Sequence, residues 1–103
     1  MLLVDARCTL LPGRQGDFIR ETKKIIQVVR KEAGCSRYEL FADAGNPRVF
    51  HFIEEWESQN HLDNHLAQLH MREYLAKSAP WYAAPTSLTL YEVVGSRPVT
   101  PGH

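Results

Sequence analysis

The chain has 103 residues, 44% hydrophobic and 23% charged, which fits one ordinary globular domain with a single core. Twelve Lys and Arg balance twelve Asp and Glu, so no overall field draws nucleic acid or an anionic membrane. No apolar run reaches the length of a membrane span, and the opening MLLVDARCTLL is broken by Asp5 and Arg7, so the expected location is cytoplasmic.

Taken in order, the first element is a strand over residues 2–10. Leu2, Val4, Ala6, Cys8 and Leu10 share one face, and Pro12-Gly13 ends it. A helix is expected from Gly16 or Asp17 to Ala33. Phe18, Thr22, Ile25, Ile26, Val29 and Ala33 form its buried stripe, and Gly34 is a natural stop. A second strand, residues 35–43, alternates Tyr38, Leu40 and Ala42 against Arg37, Glu39 and Phe41. Ala44-Gly45-Asn46-Pro47 turns the chain into a third strand, Val49–Trp56, closing an antiparallel hairpin.

The period then changes from two to 3.6. Ser58 suits a helix N-cap, and Leu62, His65, Leu66 and Leu69 recur at helical spacing over residues 58–69. A helical piece over 71–78 continues this axis or starts another, and Ala79-Pro80 ends it. WYAAP leads to a last strand, residues 87–94. The expected division is one domain over 1–95 with a Pro-containing C-terminal tail over 96–103.

The order β-α-β-β-α-β resolves as a ferredoxin-like α+β sandwich, with both helical segments on one sheet face. Phe41, Val49, Ile53, Tyr91 and Val93 fall on the opposite face. An apolar patch of that size usually marks an interface, and the patterning predicts a homodimer joined sheet to sheet. Cys8 and Cys35 form neither a CxxC nor a zinc spacing and read as reduced thiols.

Chemistry concentrates in residues 50–70, FHFIEEWESQNHLDNHLAQLH. Phe52, Glu54 and Trp56 share a strand face, and a helix folded over it brings His65 to them. A bare buried carboxylate is costly, so Glu54 must be neutral or paired. It serves either as a structural tie between strand and helix or as the group that orients His65 and raises its basicity. His65 itself fits a core histidine as well as a base. Trp56 fits core packing, with a pocket rim as the alternative, and Tyr38 and Tyr74 offer hydroxyls to a ligand. His61 and His65 share a helix face. His70 lies five residues further on and would turn away, and HExxH is absent, so no metal is expected.

GC-x-x-YELF (34–41), Pro47, Phe50 and E-x-W-x5-L-x2-H-x4-H (54–70) together resemble the antibiotic biosynthesis monooxygenase family, over residues 3–94. The resemblance implies a dimeric α+β barrel of the ferredoxin-like type. It also implies a cofactor-independent monooxygenase acting with dioxygen on a quinol or a polycyclic, anthrone-like aromatic. On that reading His65 and Glu54 are catalytic, and Tyr38, Phe52, Trp56, Leu66, His70 and Tyr74 bind substrate. Other relatives imply alternatives: an isomerase of a small signalling metabolite, or a dimer that binds a small molecule without turnover in a stress response. Haem-degrading relatives carry a proximal histidine where this chain has Leu75, and the isomerases tend to have a tyrosine where it has Met71.

Overall fold

The computed structural model describes residues 1–102. Four strands, β1 (Leu2–Thr9), β2 (Cys35–Ala42), β3 (Val49–Trp56) and β4 (Ser87–Glu92), form one antiparallel sheet in the order β2-β3-β1-β4. Helices α1 (Gln15–Val29), α2 (Gln59–Ala67) and α3 (Leu69–Ser78) and a 3₁₀ turn (Ala79–Trp81) complete it. This is the ferredoxin-like α+β fold that the element order predicts.

The sheet face under the helices is set by registered pairs: Leu2 opposite Trp56, Val4 opposite Glu54, Ala6 opposite Phe52 and Cys8 opposite Phe50. Phe18 of α1 drops between them, its ring centroid 5.1 Å from that of Phe50 and 6.1 Å from that of Phe52. It is fully buried, which contributes roughly 1.5–3 kcal/mol. β4 differs. All six of its residues are exposed.

α1 ends four residues before the expected Ala33, which is exposed rather than on the buried stripe. The reason lies in the turn that follows. Lys31 and Glu32 donate their N–H groups to Val28 and Val29 O at 3.1 and 2.9 Å, a tighter winding than the α-helix. Gly34 then takes φ +80°, where a Cβ would overlap the His61 ring. Glu32 is thereby carried under the second helical segment instead of continuing along α1.

That segment also breaks where the pattern predicts continuity. Gln68 is extended (φ −64°, ψ 141°) and serves both as C-cap of α2 and as N-cap of α3. The proposed stripe is corrected accordingly: Leu62 and His65 are buried, but Leu66 is 43% exposed and Leu69 61%. Ser58 does cap α2, accepting from His61 N–H at 3.3 Å.

The far face of the sheet is mixed rather than apolar. Val49 is buried, and Phe41 and Tyr91 are exposed. Beside them lie a His51–Asp5 pair at 2.7 Å and an Arg37 guanidinium reaching Glu39 at 2.8 Å and Glu55 at 3.5 Å. The last strand is shorter than expected and stops at Glu92.

Candidate functional site

Between the sheet and the α2–α3 segment lies a cavity of about 150 Å³. Ala6, Cys8, Phe52 and Glu54 form its floor, and Tyr38 and His65 close one end. Met71 and Tyr74 of α3 form a wall, Tyr82 and Thr86 close the other end, and Leu66, Leu75 and Leu88 ring the mouth. The linker after α3 reaches the cavity because it hydrogen-bonds along the end of β1, Leu11 N–H to Trp81 O and Ala83 N–H to Thr9 O, both 2.8 Å.

Six of the eight residues read from the sequence as site residues line this space: Tyr38, Phe52, Glu54, His65, Leu66 and Tyr74. Trp56 does not. It is fully buried behind the end that Tyr38 and His65 close, its indole 4.6 Å from the His65 ring and tilted by 33°. Its Nε1–H donates to Glu54 Oε1 at 2.9 Å. His70 also lies outside, at a surface groove beyond α3.

The partner of His65 is not Glu54. Its Nδ1–H donates to Glu32 Oε2 at 3.0 Å, and the same oxygen accepts from His70 Nε2–H at 2.9 Å. Glu54 is occupied by the indole, so the sequence reading that made it the orienter of His65 is corrected: Glu32 holds that place. His61, the third histidine of the segment, bonds Ser58 Oγ at 2.7 Å. Among the described residues, no group of three or more His, Cys, Asp and Glu side chains could hold a metal ion.

Polar atoms of the lining remain open to the cavity, among them one on His65 and one on Glu54. Among the described residues, no buried side-chain nitrogen or oxygen lacks a partner. The protein offers none to His65 Nε2 or to Glu54 Oε2, which therefore border open space. Burial pushes the Glu54 carboxyl up to about 7, against the pull of the Trp56 N–H and helped by the negative charge of Glu32. Burial also holds the His65 imidazole below its ordinary value, outweighing the hydrogen bond and charge of Glu32. Near neutral pH His65 thus presents a lone pair to the cavity, and Glu54 stands between acid and carboxylate. Burial raises the phenols of Tyr38 and Tyr74, and that of Tyr82 to about 12, so all three remain donors.

The family model for antibiotic biosynthesis monooxygenase matches residues 1–77. The chain belongs to that family. "Probable quinol monooxygenase YgiN" of Escherichia coli (strain K12) is 33% identical over 84 residues, covering 72% of this chain and 81% of that protein. "Putative monooxygenase YcnE" of Bacillus subtilis (strain 168) is 25% identical over 93 residues, covering 90% and 98%. A solved structure of a conserved protein from Methanosarcina mazei Go1 superposes with a TM-score of 0.84 at 26% identity, over 87% of this chain and 89% of that one.

Several lining residues of this family member escape a sequence reading. Cys8 and Leu88 were recoverable, since strand alternation puts them on the floor side. Tyr82 and Thr86 were not, because an irregular linker has no period to read. Glu32 was hidden by the expectation that α1 runs on to Ala33.

Proposed function

We propose that this protein is a cofactor-independent monooxygenase of small single-ring quinols. The observation that carries the reading is an apolar cavity of about 150 Å³ into which a neutral imidazole nitrogen and a carboxyl near its midpoint both open. A cavity of about that volume holds one benzene-sized molecule. The size favours a quinol head group over a tricyclic anthrone.

Triplet oxygen reacts slowly with closed-shell organic molecules, and a quinol becomes a ready electron donor once deprotonated. One oxygen atom enters the ring and the other leaves as water. The substrate supplies all four electrons as it passes from quinol to hydroxyquinone. The protein's part is to take a hydroxyl proton at His65 Nε2, to share a hydrogen bond with the developing anion through Glu54 in its protonated form, and to keep water out. Tyr82 donates to the other hydroxyl of a para-dihydroxy ring, and Tyr74, tied to Thr22 at 2.6 Å, forms the wall beside it. Phe52 and Leu66 hold the ring faces, and Trp56 backs His65. The exposed Leu88 and Leu90 of β4, with Phe41 and Tyr91 on the far face, fit a homodimer whose partner covers them.

The test is oxygen uptake with one-, two- and three-ring quinols on purified protein. Uptake should be fastest with a single ring and should yield the hydroxyquinone, which carries one more oxygen and two fewer hydrogens than the quinol. Tight binding with no uptake for any quinol would make the protein a binding module instead.

A further inference from the structure

We propose that Glu32 is the positioning residue of this site: its carboxylate fixes the His65 tautomer that leaves Nε2 free to act as base. The role of that base rests on the quinol reading above, but the geometry stands apart from it. A carboxylate oxygen has only lone pairs to offer, so the nitrogen 3.0 Å away must carry the proton. That nitrogen is Nδ1, and a neutral imidazole has one N–H, so Nε2 is left bare toward the cavity. Without Glu32, nothing else among the described residues bonds either ring nitrogen of His65. The ring would then be free to take the Nε2–H form, which cannot accept a proton.

The support is directional as well. The Glu32 side chain is 11% exposed and that of His65 only 2%, so their hydrogen bond is shielded from water. From the solvent side His70, at 29%, donates to the same oxygen and pins it. The His65 ring is further held by Trp56 at 4.6 Å and Tyr38 at 5.5 Å, which fix its plane but are indifferent to its tautomer. When Nε2 takes the substrate proton, the imidazolium that forms keeps its Nδ1–H on Glu32, whose negative charge offsets the new positive one. This division of labour, one group reacting and another holding it, is that of hydrolytic triads, where the wrong tautomer costs several orders of magnitude.

The experiment reads the tautomer directly. Long-range proton–nitrogen NMR correlations of His65 at pH 8 should show the Nδ1–H form in the unaltered protein. Glu32→Ala should convert His65 to mostly Nε2–H, and Glu32→Gln, which keeps an acceptor oxygen without the charge, should retain Nδ1–H in large part. Quinol oxidation should follow the same order: kcat down about 100-fold in Glu32→Ala and less in Glu32→Gln, with KM little changed, whereas Glu57→Gln, on the exposed surface, should match the unaltered enzyme. An Nε2–H form in the unaltered protein, or a tautomer indifferent to Glu32→Ala, overturns the proposal. If Glu32→Ala does not fold, the unaltered protein and Glu32→Gln still decide it. The correct tautomer shift in a protein that oxidises no quinol would leave Glu32 in place and remove the quinol reading alone.

Discussion

Glu54→Gln should make the protein more stable, and only above acid pH. The Glu54 carboxyl is 5% exposed and titrates at about 7 in the folded state, against 4.5 as an ordinary glutamate. Between those values the folded protein holds a proton that the unfolded chain has released. Stability therefore falls as pH rises through this window, and levels off above it. The gap is about 2.5 pH units. At about 1.4 kcal/mol each, ionised Glu54 costs on the order of 3 kcal/mol at pH 8. Gln keeps an oxygen for the Trp56 N–H and carries no charge. The two proteins should unfold alike at pH 4, and by pH 8 the variant should lead by about 3 kcal/mol, on the order of 10 °C in Tm for a domain of this size. His65 works with the opposite sign: its value is held down by burial, so its contribution is present at high pH and lost on acidification. It is common to both proteins and largely cancels in the difference. Denaturant unfolding at half-unit pH steps measures the curve. A gap that is constant with pH, or that opens on the acid side, refutes the burial argument.

His65→Phe keeps a ring against Trp56 but removes both nitrogens, and quinol oxidation should fall by about 10² or more with the fold retained by circular dichroism. Thr22→Val removes the hydroxyl 2.6 Å from the Tyr74 hydroxyl in a fully buried place, and urea unfolding should show a loss of about 1–2 kcal/mol. Ile53→Lys puts a charge on the far sheet face, and sedimentation should show a dimer in the unaltered protein giving way to monomer in the variant. Chelator treatment should leave Tm unchanged, since no bound ion is expected to contribute to native stability.

The sheet was legible because its alternation is regular: β3 was bounded correctly, and Glu54, Phe52 and Tyr38 were put on the cavity side by period alone. What was not legible depended on where helices stop. Five residues along a continuous helix turn through about 140° beyond a full circle, which would set His65 and His70 on different faces. The extended Gln68 breaks the axis and returns both rings to a single oxygen. That oxygen belongs to Glu32, which comes within reach only because α1 ends at Val29. Helix ends are decided by capping and tertiary contact more than by periodicity, so the pairing of His65 with a carboxylate could be anticipated while the carboxylate was misassigned.

The turn through Gly34 has a consequence for how variants of this protein would be scored. Gly34 does not line the cavity, yet its O accepts from Glu57 N–H at 2.8 Å and its bare Cα lets the His61 ring lie against the turn that bears Glu32. Any side chain there would push the start of α2 away from that turn, and His65 rides on α2. In a saturation scan read out by activity, this position would be as intolerant as a base or a nucleophile. A map drawn from such a scan would mark as chemistry what is only clearance.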